Sequence, residues 1–221
     1  MHVGKPVEVT VWDQPVRLFH WGLVVLVGTT WGTGQLAALD VHMKVGVWVL
    51  ALLVFRWAWG FVGSETARFS HFVRGPQAIR EYLAAARAGA ARSVGHNPLG
   101  ALSVLALLTL LTVQAATGLF TTDDIVTEGP LYHLVASKTA STLSTLHRIG
   151  GKLVLALVLV HVAAVAFYTL VKKDDMIRAM ITGTKRVPPQ VRGIRFASPL
   201  LGVALFAASA ALVWGGLQLA K

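Results

Sequence analysis

The 221-residue chain contains no cysteine, and only 14% of its residues are charged. The missing cysteine excludes disulfides, iron–sulfur clusters, thiolate zinc sites and haem attached covalently through a C-x-x-C-H motif. The charged fraction is about half that of an ordinary soluble domain. With 55% hydrophobic residues and a mean hydropathy of +0.64, it argues against a water-soluble globule. Acidic residues are scarce too, ten against twenty lysines and arginines, for a net charge of +10. An excess of that sign suits either a nucleic-acid partner or the cytoplasmic loops of a membrane protein, and the position of the charges decides between them. The first fifteen residues, MHVGKPVEVTVWDQP, are mixed and polar, so no cleavable signal peptide is expected.

What is present is a set of long apolar runs. A hydrocarbon core about 30 Å thick needs ~20 residues of helix. Five segments reach that length: about 16–39, 41–63, 98–120, 144–171 and 199–219. Fourteen basic residues fall on the side where the first span begins. They include Lys5, Arg17, five arginines from Arg68 to Arg92, and seven basic residues from Lys172 to Arg195. Five fall on the other side (Lys44, Lys138, Arg148, Lys152 and Lys221), and Arg56 lies inside the second span. The positive-inside rule makes the first side cytoplasmic and puts the carboxyl terminus outside. The +10 charge therefore marks a membrane face, and no nucleic-acid partner is expected. Between the second and third spans, Gly75-Pro76 opens an amphipathic helix over about 76–91. Ile79, Tyr82, Leu83 and Ala86 share one face, and Arg80 and Arg87 another, which suits the cytoplasmic membrane surface. The loop 121–142 on the outer side carries Asp123, Asp124, Glu128 and His133 and is long enough to form a cap.

Four of the eight histidines, His2, His71, His96 and His133, fall in loops or tails and read as solvated polar residues. The other four, His20, His42, His147 and His161, fall inside spans, where ionisable side chains usually face the bundle interior with a partner. His147 and His161 are 14 residues apart on one helix, which separates them by ~21 Å along the axis and only ~40° in facing. Alternating span directions place His20 at the depth of His161 and His42 at the depth of His147. Two histidines on facing helices at one depth can ligate a haem iron from both sides, so two pairs imply two haems stacked across the membrane. A bare metal cage is excluded, because ~21 Å separates the two layers. A proton relay lacks its usual carboxylates, since no span contains Asp or Glu.

Position 14 from His20 is Gly34, where a macrocycle must approach, and position 14 from His42 is Arg56, an intramembrane cation suited to a haem propionate. Gly46, Gly150 and Gly151 lie one turn from His42 and His147 and leave room, although small residues also serve ordinary helix packing. Arg17 and Arg148 flank the two layers as further propionate partners or as interfacial anchors. Asp123 and Asp124, beside the end of the third span, could serve a quinone or a docking partner. The fold class is thus an all-α membrane protein, a four-helix haem-binding bundle with a fifth, carboxy-terminal transmembrane helix.

The motifs VWDQPVRLFHW, FRWAWGFVGS, ARFSHFVRGP, GHNPLGAL, TGLFTTDDI with EGPLYHL, and LHRIGGKLVLALVLVHVAAV resemble the bacterial cytochrome b561 and nickel–iron-hydrogenase cytochrome b family over about residues 10–183. The resemblance implies a diheme b core over 1–183 with quinone-linked electron transfer, and its haem ligands fall on His20, His42, His147 and His161. It implies membrane lipid, quinone and a periplasmic cytochrome c or a dehydrogenase or hydrogenase subunit as partners, in the bacterial inner membrane. Residues 184–221, a linker and the added helix, lie outside it. The resemblance also permits a superoxide oxidase that reduces quinone. A haem-free anchor or transporter is the reading from another class.

Overall fold

The computed structural model describes residues 7–88, 95–187 and 193–220. His2, Lys5, Arg92, Arg192 and Lys221, and the last residues of the amphipathic helix expected to 91, lie outside the described residues. Long helices dominate: α1 (Gln14–Gln35), α2 (Leu39–Val62), α5 (Pro98–Gly118), α6 (Ser137–Leu170) and α8 (Pro199–Leu219). Shorter ones are α3 (Phe69–Phe72), α4 (Pro76–Arg87) and α7 (Met176–Thr182). Among the described residues, α2, α5, α6 and α8 are long and apolar enough to cross a membrane. α1 has 22 residues, but its arginine, histidine, glutamines and threonines dilute its apolar character.

The expected spans match these helices to within a few residues at most ends; α6 starts seven residues before the expected 144 and shortens the outer loop. One element departs from an all-helical reading. Strands β1 (Val7–Thr10) and β2 (Thr184–Val187) pair antiparallel, with Val7 opposite Val187 and Thr10 opposite Thr184. Their β-branched residues favour the extended form, but the partners are far apart in the chain, so neither strand announces the other. The segment expected as a linker therefore begins as a strand.

Two compact units divide the chain. The first combines the described parts of Met1–Leu18, Trp57–Ala106 and Val160–Gly202. In it Asp13 caps α1: its Oδ1 accepts from Val16 N at 2.7 Å, and its Oδ2 accepts from Nε1 of the fully buried Trp59 at 3.0 Å. Gly183 ends α7 at φ 85°, a left-handed conformation that glycine adopts without strain, and its carbonyl accepts from Val11 N and Trp12 N. Asn97 caps α5 by accepting from Gly100 N at 2.7 Å. α4 carries the expected apolar and basic faces, and Tyr82 on it shares a 2.9 Å hydrogen bond with the Tyr168 hydroxyl on α6. Burial, followed by that bond, pushes the Tyr82 phenol above its ordinary value.

The second unit combines the described parts of Phe19–Arg56, Leu107–Leu159 and Val203–Lys221. A short turn with Ala37 at φ 55° joins α1 to α2 and makes them antiparallel neighbours. α8 packs on α2 through Val47 and Ala51 against Val213 and Leu217, with Leu50, Val54 and Trp214 around them. Trp48 meets Trp214 edge-on at 5.6 Å, and Phe55 meets Phe206 at 6.0 Å. In lipid such contacts act through van der Waals packing, since the bilayer is as apolar as the side chains. The role of the fifth helix, open from sequence, is at least this: it covers one face of α2. The α5–α6 loop is tied down as well. Ser144 Oγ accepts from Thr122 N at 2.9 Å, and His133 Nε2 donates to the Ala220 carbonyl at 2.7 Å.

Candidate functional site

The second unit brings two of the four intramembrane histidines together. His42 projects from the first turns of α2 and His147 from α6, and their ring centroids stand 6.0 Å apart with planes at 83°. Each ring is held from behind. His42 Nδ1 lies 2.7 Å from the Thr30 carbonyl on α1, and His147 Nδ1 lies 2.9 Å from the Gln114 carbonyl on α5. A carbonyl only accepts, so each Nδ1 carries the proton and donates it, and each Nε2 keeps its lone pair. The geometry therefore presents two imidazoles in the tautomer that binds metal, each with a backbone carbonyl as its outer partner.

The fit to a haem iron can be tested on these distances. A metal–imidazole bond of about 2 Å on either side, with the ring half-widths added, spans about 6 Å. Among the described residues no group of three or more His, Asp or Glu side chains is placed to hold a bare metal ion. Two ligands suffice only for a metal whose remaining donors arrive with its cofactor, as the four nitrogens of a porphyrin do. Gly46, one turn beyond His42, has no atom within 4 Å of where a Cβ would stand. The residues present fit a haem.

Two other glycines lie closer to the rings than the sequence suggested. A Cβ on Gly34 would stand 3.2 Å from His42 Nδ1, and one on Gly118 would stand 2.9 Å from His147 Cε1. The space at Gly34 thus admits the imidazole itself. Gly150 makes room for a protein side chain as well: a Cβ there would lie 2.2 Å from Gln114 Oε1. The Gln114 amide reaches across α6, and its Nε2 donates to the His147 carbonyl at 2.9 Å. Thr117 completes this group, with its hydroxyl 3.0 Å from the Gln114 carbonyl and 3.4 Å from His147 Nδ1. Sequence reasoning passed over Gln114 and Thr117. The available signal was a glutamine inside an otherwise apolar run, a residue that must find a partner in the bilayer.

The remaining expected residues are more dispersed. His20 lies on α1 in the second unit, edge-on to Trp21 at 5.0 Å, and His161 lies half-buried on α6 in the first. Arg56 is only 3% exposed within α2. Arg17 donates from Nη1 to the Ile181 carbonyl at the end of α7, while its Nε is buried without a hydrogen-bond partner. Arg148 is exposed, its Nη2 3.3 Å from Thr145 Oγ1. Asp123 and Asp124 form the tip of the α5–α6 loop. Asp123 Oδ1 accepts from the backbone N–H of Ile125, Val126 and Thr127, which hold its carboxyl well below the usual carboxylate range. Its first role is thus to shape the loop, which leaves Ile125 and Val126 about as exposed as side chains can be. Two loop histidines also do more than meet solvent: His96 meets Trp12 edge-on at 4.6 Å and Phe72 at a tilt at 4.5 Å, and His133 binds the end of α8.

No curated protein matches the chain. The family model described as prokaryotic cytochrome b561 matches residues 11–183 and stops short of α8. Helices of membrane-spanning length, a pair of outward-braced imidazoles and that match agree: the chain belongs to the prokaryotic cytochrome b561 family, multi-pass membrane cytochromes that bind haem b and transfer electrons across the bilayer.

Proposed function

We propose that this chain is a diheme cytochrome b that conducts electrons between the quinone pool and a redox partner outside the cytoplasmic membrane, a cytochrome c or a dehydrogenase or hydrogenase subunit. Its haem-binding domain is 1–183, and α1, α2, α5 and α6 form the bundle, with α8 as a fifth span. The amino terminus is cytoplasmic and the carboxyl terminus periplasmic, by the distribution of lysine and arginine.

The observation that carries the reading is the His42–His147 pair, 6.0 Å apart with both Nδ1 atoms donating to carbonyls. These two histidines hold the haem nearer the outer face. His20 and His161 hold the second, nearer the cytoplasm, and the support for that pair is their spacing along the chain. A bound haem supplies reversible one-electron chemistry at its iron. The protein residues would hold the imidazoles that ligate it and keep the site in an apolar medium. Arg17, whose buried Nε lacks a partner, and Arg56 supply cations for propionates. Arg148 does so at the outer layer, and Gly34 and Gly46 keep the ligand faces of α1 and α2 free of side chains. Asp123 and Asp124 lie where a quinone or a docking protein would meet the outer surface.

The membrane potential sets a directional term. Moving one electron ~21 Å through a ~30 Å core crosses about two-thirds of the field, ~1.5 kcal/mol per 100 mV, uphill toward a negative cytoplasm. The test is a pyridine haemochrome count on purified protein. Wild type should hold two haems. His42→Ala and His147→Ala should each lose the same one, and His20→Ala and His161→Ala the other. Four haem-free or four fully loaded variants would refute the pairing.

A further inference from the structure

The two braced histidines are held by one device used twice. On α1, Thr30 offers its carbonyl to His42 Nδ1 at 2.7 Å, and Gly34 follows four residues later, its missing Cβ 3.2 Å from that nitrogen. On α5, Gln114 offers its carbonyl to His147 Nδ1 at 2.9 Å, and Gly118 follows four residues later, its missing Cβ 2.9 Å from Cε1 and 3.2 Å from Nδ1. The repeat has a geometric cause. In an α-helix the carbonyl of residue i already accepts from the N–H of residue i+4, and its second lone pair faces outward beside the side chains at i+3 and i+4; at i+3 the hydroxyls of Thr33 and Thr117 reach the same two carbonyls at 3.2 and 3.0 Å. A glycine at i+4 opens the approach. α1 and α5 are thus built alike toward the two rings, each with a threonine at i+3 and a glycine at i+4 beside the accepting carbonyl.

We infer that Gly34 and Gly118 are positioning residues that admit each axial imidazole to a helix carbonyl and thereby set the electron-donating strength of that ligand pair. The inference rests on the assignment of His42 and His147 as haem ligands. An Nδ1–H donated to a carbonyl makes the imidazole more basic at Nε2, which stabilises the oxidised iron relative to the reduced one. Two such bonds on one haem hold its potential down. A methyl group at either glycine pushes the ring from its carbonyl, weakens the donation and raises the potential of that haem. Gly118→Ala should act more strongly than Gly34→Ala, since its methyl group stands closer to the ring.

The experiment is an optically monitored redox titration, with a haem count, of purified holoprotein carrying Gly34→Ala, Gly118→Ala or Gly32→Ala. Gly32 lies on the same helix as Gly34, with no atom within 4 Å of its missing Cβ, so its variant reports any general effect of alanine in α1. The expected result is an upward shift of one haem's midpoint in Gly34→Ala and Gly118→Ala, the same haem in both, with the other haem and both midpoints of Gly32→Ala unmoved. Selective loss of the haem that His147→Ala also loses, with two retained in Gly32→Ala, supports the inference equally. Unchanged midpoints, a downward shift, or an equal response in Gly32→Ala would overturn it and leave these glycines as packing residues. A wild-type protein without haem would overturn the ligand assignment itself, before any glycine variant is compared.

Discussion

The tightest contact near the paired histidines is between Gly150 on α6 and the Gln114 amide on α5, and it makes a quantitative prediction. A methyl group at position 150 would stand 2.2 Å from Gln114 Oε1 and 3.4 Å from its Cδ. Non-bonded heavy atoms settle at about 3.5 Å, so the amide must retreat by roughly an ångström. Its 2.9 Å bond to the His147 carbonyl then stretches beyond hydrogen-bond range. An interhelical bond of this kind contributes about 0.6–2 kcal/mol in a bilayer, and overpacking adds about 1–3 kcal/mol. Alanine returns about 1 kcal/mol through its better helix propensity. Gly150→Ala should therefore destabilise the protein by about 0.6–4 kcal/mol. In a Gln114→Ala background the clash is gone and only the propensity gain is left, so the same substitution becomes neutral or stabilising by up to about 1 kcal/mol. The coupling between the two sites is then the lost bond plus the overpacking, about 1.6–5 kcal/mol, measurable as a double-mutant cycle by thermal unfolding in detergent. Gly151→Ala is the control, because its methyl group would stand at an ordinary 3.6 Å from Gln114 Nε2. Additive effects, or a Gly150→Ala protein as stable as wild type, would refute the packing argument.

Asp13→Ala removes the α1 cap and the acceptor of Trp59 Nε1, and should cost about 2–3 kcal/mol in thermal unfolding; Asp13→Asn keeps one of the two acceptors and turns an amide N–H toward the other donor, so it should recover only part of that. The depressed Asp123 carboxyl makes a pH prediction for the outer loop. A group whose folded value is lowered stabilises above its unfolded value, 3.8, and that contribution fades only as pH falls below it. The amides of Ile125, Val126 and Thr127 should keep their exchange protection from pH 7 down to about 4. They should lose it in stronger acid, and in Asp123→Ala, which has no acceptor, at neutral pH; equal protection in that variant would contradict the three-bond loop.

Much of the fold is legible in the chain because a bilayer asks so little of it: length, apolarity and charge at the ends place α2, α5, α8 and the end of α6 within a few residues. The pairing of His42 with His147 is legible for a related reason. Depth in a membrane follows residue number along a helix, so two histidines on antiparallel spans reveal their level. What brackets them is not legible. The atoms that hold the rings are the carbonyls of Thr30 and Gln114, and a backbone oxygen has no letter in the sequence. Gly150 and Gly151 read as room for a cofactor, yet Gly150 faces Gln114, because a missing side chain does not say which neighbour fills its place. The β1–β2 pair and the seating of α8 on α2 both join distant segments through contacts with no local signature.

By itself the sequence determined the class of molecule: an apolar, cysteine-free, multi-pass membrane chain of a family that binds haem b, with four histidines inside its spans. Helix periodicity, hydropathy and charge placement are local properties, and they suffice for that. Only the tertiary structure decided which tautomer the paired imidazoles adopt, which glycines admit them and which side chain stands behind His147. Those features depend on the approach of one helix to another within a few tenths of an ångström, and that distance is set by the packing of side chains far apart in the chain.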